Sequence, residues 1–195
     1  MRSRASEFVE PPWGAVIPVE ATLAAIPDDS TIAGMFYLAL LDGAKRRNIE
    51  LSLPKQRYQA FGFYSAKDFA RALVQACRLF YPDRSLRQAL RAIGMVGPKA
   101  FAESTLGKVT LGSAPDVHTA VSAIAKTYAV NIRPSQCAVL ESKPRSMILS
   151  LENVHYFLDS HHVGVFEGTL EHVGVRGRVR IASRSSSAAD LLIEW

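Results

Sequence analysis

Residues 161–181, HHVGVFEGTLEHVGVRGRVRI, set Gly164 and Gly168 four positions apart in a segment that otherwise reads as a helix. Each glycine costs a helix interior about 1 kcal/mol relative to alanine. Residues four apart are neighbours on the helix surface, so the pair makes one smooth strip along it. A helix that accepts that cost twice on one face needs a compensating gain, and close packing against a neighbouring layer supplies one. The strip reads first as core packing. A dimer seam and the wall of a pocket are its functional alternatives. Past Gly174 the alternation of Arg176, Arg178 and Arg180 with Gly177, Val179 and Ile181 is that of a strand, arginines on one face and apolar groups on the other. The chain is thereby constrained to a fold in which a helix lies flush on a packed layer and runs straight into a sheet.

The remaining elements fit that frame. A chain of 195 residues has the length of one full-sized domain. Residues 1–30 form an irregular lead-in broken by Pro11, Pro12, Pro18 and Pro27, with one short strand expected over 14–20. The caps in 28–31 predict a helix from Thr31 to Arg47. Ser65 and Asp68 form a capping-box-like pair for the clearest helix, whose stripe is Phe69, Leu73, Cys77 and Phe80, and Pro82 stops it. A third helix opens near Ser85 and ends at Gly94. Pro98 opens a fourth with Phe101, interrupted around Thr105, Gly107 and Gly112. A fifth spans 114–128. From 129 the pattern changes to strand–turn–strand split at 142–145, a helix from His155 to His172, and a closing hairpin. The expected class is α+β, a helical layer packed on a C-terminal antiparallel sheet, as a single domain over 31–195.

Composition narrows the function by exclusion. With 48% apolar and 21% charged residues, the chain has enough apolar content to fold. The net charge of +5 permits an anionic partner. The longest apolar run, Gly34–Leu41, is far too short to span a bilayer. No apolar stretch of signal-peptide length follows the N-terminal arginines, so a cytoplasmic protein is expected. Cys77 and Cys137 form no disulfide framework or metal clip. The chain carries no G-x-S-x-G, P-loop or HExxH string, so neither an enzyme nor a cofactor or metal is expected.

Several side-chain groups still carry possible chemistry. His155, Asp159 and His162 would share a helix face at i, i+4 and i+7, a ligand-type set whose plainer reading is an exposed polar face. Arg176, Arg178, Arg180 and Arg184 would suit phosphate, but no stacking aromatics interleave them, so no nucleic acid is expected and edge protection is the simpler account. Asp28 and Asp29 read as a turn and cap. Large aromatics recur across the helices. Phe36, Phe69, Leu73, Cys77, Phe80, Phe101, Phe157 and Phe166 are either core or the lining of an apolar pocket.

The stretches STIAGMFYLALLDGA, YPDRSLRQALRAIG, FAESTLGKV, HVGVFEGTLEHVGV and SSSAADLLIEW together resemble a domain-of-unknown-function family of about 200 residues that occurs as many paralogues in myxobacteria. The resemblance covers residues 31–195. The helix–strand–strand ending is similar to that of the V4R, TRAPP and haem-NO-binding group. It implies helices over an antiparallel sheet, an apolar space between layers for a small or acyl molecule, and a habit of forming homodimers. The implied role is a non-enzymatic ligand-binding or signalling module. The alternatives are a dimeric scaffold joined through 31–47 or 155–172, and a haem or gas sensor. Haem in that group is held by a helical histidine and a Y-x-S-x-R grip. His118 is helical here, but the nearest string offers only Ser142 and Arg145 without the tyrosine, which leaves His118 as a capping or surface residue.

Overall fold

A computed structural model describes residues 7–55, 57–103, 107–108, 111–112 and 114–195; Thr105 and the first six residues of the lead-in lie outside these. In chain order the elements are α1 (Val19–Ala24), β1 (Thr31–Ala33), α2 (Gly34–Lys45), β2 (Phe63–Ser65), α3 (Ala66–Phe80), α4 (Leu86–Glu103), α5 (Val117–Asn131), β3 (Ile132–Arg133), β4 (Gln136–Lys143), β5 (Ser146–Glu152), one π-helical turn (Leu158–His162), α6 (Val163–His172), β6 (Arg178–Ser183) and β7 (Ala189–Glu194).

The C-terminal strands pair antiparallel in the order β4-β5-β7-β6. Met147 opposes Ile193, and Leu149 and Ile181 both oppose Leu191. These residues and Val179 are buried on one face, against the helices. Period-two alternation turns Ile148 and Leu192 to the other face, where Phe8 of the lead-in covers them. The predicted helical layer over an antiparallel sheet is thus observed.

Local sequence explains the best-formed helices. Ser65 caps α3, its Oγ accepting from the Asp68 amide at 3.1 Å. Asp116 caps α5, accepting from the Thr119 amide at 2.8 Å. Elsewhere tertiary contacts override local signals. The helix expected from Thr31 begins only at Gly34, because Thr31–Ala33 forms the centre of a second sheet, β2-β1-β3. No strand forms over 14–20. That stretch leads into α1, and the lead-in pairs with the sheet at Val9 and Ile181 instead. Gly94 and Pro98 do not divide α4, which runs through both. Pro98 removes one intrahelical bond, but it is buried in a helix held by its neighbours. Residues 155–157 are not helical either: Phe157 adopts a left-handed φ of 48° before the π turn. Gly174, at φ 73°, ends the segment as expected.

The glycine strip packs within the chain. A Cβ on Gly164 would stand 2.2 Å from the Arg91 carbonyl oxygen, and one on Gly168 would stand 2.1 Å from that of Met95. From the other side, a Cβ on Gly94 would stand 2.2 Å from the His161 carbonyl oxygen. Helices α4 and α6 therefore touch backbone to backbone. Arg91 grips Glu167 in a bidentate pair at 2.5 and 3.0 Å across this contact, and Arg87 pairs with Asp159. The strip is a seam between two helices of one chain, so it is not available as a dimer surface.

Candidate functional site

The helical layer leaves a gap of about 390 Å³, within the range of small-molecule sites. Helix α2 contributes Phe36 and Leu40, α3 contributes Phe69, Leu73 and Phe80, and the second half of α4 contributes Ile93 to Phe101. Ile124, Thr127 and Tyr128 of α5 close another side, with Tyr156, His161, His162 and Val165 beyond them. The cavity adjoins the α4–α6 seam. Backbones in contact fix α4 against α6, and side chains of α2, α3 and the second half of α4 border the gap.

Five of the eight predicted side chains meet on this lining: Phe36, Phe69, Leu73, Phe80 and Phe101. Phe36 and Phe69 stand 6.4 Å apart. The other three lie outside it. Cys77 is 1% exposed in the core, where burial pushes its thiol up to about 12 and leaves it inert. Phe166 sits one layer behind, stacked on Tyr128 at 6.0 Å. Phe157 packs edge-on to Tyr156 beside the left-handed turn.

The inner end of the cavity is polar but neutral. Tyr128 Oη and His162 Nδ1 share a hydrogen bond of 2.9 Å. Burial holds the His162 imidazole well below its ordinary range, and the adjacent His161 pushes it the same way. Its Nε2 is buried and has no hydrogen-bond partner among the described residues. Burial also lowers His161 to about 4, opposed only in part by the Leu90 carbonyl. The phenols of Tyr128 and Tyr156 are raised by burial. At neutral pH these four groups therefore carry no charge. His162 was expected on an exposed face with His155 and Asp159. It is buried instead, Asp159 is taken by Arg87, and His155 stands outside the helix. Among the described residues no group of three or more metal-binding side chains forms.

The rim carries charge. Arg46, Arg47 and Lys99 line the opening, with Glu103 the one carboxylate there among the described residues. Arg46 pairs with Asp42 at 2.5 Å. The Arg47 guanidinium lies 4.7 Å from the Phe80 ring centroid and donates to the Gly43 carbonyl at 3.0 Å. Arg46 and Arg47 are adjacent basic residues at the C-terminal end of α2. Only the distant pairing of α2 with the end of α4 brings them to a cavity.

The other candidates are spoken for within the fold. His118 is outside the cavity lining. Its Nδ1 bonds Ser142 Oγ at 3.0 Å, and its ring lies edge-on to Trp195 at 4.9 Å. Arg145 Nε donates to the Trp195 carbonyl at 2.9 Å. Three of the four stripe arginines are paired, Arg178 and Arg180 sharing Glu194 and Arg184 reaching Glu152 and Asp190, while Arg176 lies before β6 and makes no ion pair among the described residues. No helix among the described residues is long and apolar enough to cross a membrane.

Residues 25–195 match the model of a family described as "Protein of unknown function (DUF2378)". No curated protein matches the chain. Among solved structures, the Fe(II) unliganded H-NOX protein from K. algicida is similar at a TM-score of 0.62 and 14% identity, over 84% of this chain and 96% of that one. The H-NOX protein from S. oneidensis in its Fe(II)NO ligation state is similar at a TM-score of 0.62 and 13% identity, over 84% of this chain and 98% of that one. At such identities the likeness is one of fold, and it extends the haem-NO-binding resemblance of the sequence to the whole topology.

Proposed function

We propose that this chain, which belongs to the DUF2378 family, is a non-enzymatic binding module that takes a small apolar or acyl molecule into the cavity between α2, α3, α4 and α5. The observation that carries the reading is the cavity itself: about 390 Å³ ringed by Phe36, Phe69, Leu73, Phe80 and Phe101, with a neutral inner end. Apolar area removed from water supplies about 25 cal/mol per Å², so an alkyl or aromatic body gains directly from filling this space. Among the described residues no nucleophile, base and orienting group converge on the cavity, which supports binding over catalysis. A neutral dye such as Nile red tests this. Saturable binding with a blue-shifted emission is expected, and Ala100→Trp, which places an indole on the lining, is expected to reduce it at least tenfold. Dye binding unaffected by the tryptophan would count against the cavity as the site.

The fold raises haem as an occupant, because the similar structures are Fe(II) H-NOX proteins. Haem requires an axial side chain at the cavity and polar groups for its propionates. His118, Ser142 and Arg145 are the residues the haem-type pattern would use. They are tied to one another and to Trp195, off the cavity lining. His162 shares Nδ1 with Tyr128 and keeps a buried Nε2 unpartnered among the described residues, and it and His161 are the imidazoles on the lining. The histidine, serine and arginine of the haem-type pattern thus do not face the cavity, which supports an apolar occupant over haem. A Soret band in the purified protein would contradict this and direct attention to His161.

A further inference from the structure

We propose that the occupant of the cavity is a single-chain amphiphile with an anionic head group, its chain turned inward and its head held at the rim by Arg47 and Lys99. The inference deepens the binding reading and rests on it. It starts from the two unlike ends of one cavity. At the inner end, Tyr128 and His162 satisfy each other at 2.9 Å, and the buried imidazoles and phenols stay neutral. An ionised group placed there would lose its hydration against groups that carry no compensating charge. The apolar walls between, from Phe69 and Leu73 across to Ile124, suit a hydrocarbon chain.

The outer end is the reverse. Three cations line it against one carboxylate. Arg46 is already partnered by Asp42. Arg47 has contacts with a carbonyl and with the faces of Phe80 and Tyr81, but no carboxylate among the described residues. Lys99 has no ion pair among the described residues either. Arg47 thus sits on an aromatic platform with hydrogen-bonding capacity left over, the arrangement that favours a planar carboxylate or a phosphate. Arg47 stands just past the C-terminus of α2, where positive charge also offsets the exposed carbonyls. That local role predicts no preference among ligands, so ligand preference separates the two accounts.

Nile red displacement from the full chain is measured with three probes of equal chain length: dodecanoate, dodecyl phosphate and dodecanol, each below its micellar concentration. We expect either anion to displace the dye at roughly one tenth the concentration dodecanol needs, the product of two partly exposed charge contacts. The double variant Arg47→Gln, Lys99→Gln is expected to erase that advantage and leave dodecanol unchanged. Arg78→Gln, an exposed cation on α3 outside the lining, should change neither. Thermal melts of each variant show whether the fold is kept. Dodecanoate outperforming dodecyl phosphate supports a fatty carboxylate, and the reverse supports a phosphorylated lipid. Equal displacement by dodecanol and both anions overturns the head-group inference while the binding reading stands. Failure of the wild-type chain to bind dye overturns both.

Discussion

At the scale of single residues, the glycines of the α4–α6 seam behave oppositely to a glycine nearby on α4. Gly164 and Gly168 have a carbonyl oxygen where a methyl would go, at 2.2 and 2.1 Å, whereas Gly97 has nothing within 4 Å. Gly168→Ala should therefore destabilise the fold by about 3 kcal/mol through backbone displacement, and Gly97→Ala should stabilise it by about 0.5–1 kcal/mol through helix propensity. Paired urea melts read both signs; two changes of the same sign would contradict the seam. His161 supplies a second prediction at this scale. Its folded-state value of about 4 lies below the ordinary value of 6.5, so the unfolded chain takes up the proton first as pH falls. The stability linked to this group is present above about pH 6.5 and lost on descending toward pH 4. His161→Gln should flatten that part of the stability–pH curve, and an unchanged slope would show that the imidazole is not buried neutral.

At the scale of elements, the lead-in belongs to the packed structure. Phe8 is 5% exposed against Ile148 and Leu192, Val9 bridges Ile181, and Ser85 and Arg87 of the α4 region bond the carbonyls of Trp13 and Ala15. Phe8→Ala should cost about 3 kcal/mol, a fall in Tm on the order of 5–10 °C for a chain of this size. A melt unchanged by the substitution would mean that the sheet's outer face needs no cover. The same elements show what local sequence reports and what it does not. Ser65, Asp68 and the Phe69–Leu73–Cys77–Phe80 stripe define α3 because cap and stripe are both local. The 3-residue β1 is invisible, since Thr31–Ala33 looks like a helix start and becomes a strand only by pairing with Tyr64 and Ile132. Gly94 reads as a stop until His161 is known to pass over it. The cavity divides in the same way. Apolar periodicity picks out Phe36, Phe69 and Phe80 as buried, but whether such a ring borders a gap or fills the core depends on the separation of helices that are distant in sequence. Cys77 and Phe166 share that periodicity and lie in the core. Tyr128, Tyr156, His161 and the rim arginines escape it because their place depends on the same distant approach.

Across the whole molecule, the account is one of mechanical consequence. Three glycines let α4 and α6 meet at the backbone, α6 packs on the C-terminal sheet, and a cavity lies among α2, α3, α4 and α5. The domain shares its topology with H-NOX proteins, yet the histidine, serine and arginine of a haem-type pattern are drawn together around Trp195, away from that space. Shape with a charged rim, rather than reactive chemistry, is what the cavity offers. Native mass spectrometry of the freshly purified chain tests this most directly. The account predicts a bound species that is apolar or single-chained, lost on mild activation and absent from Ala100→Trp. A chain that flies only as the bare polypeptide, and that takes up no added dodecanoate or dodecanol, would contradict it.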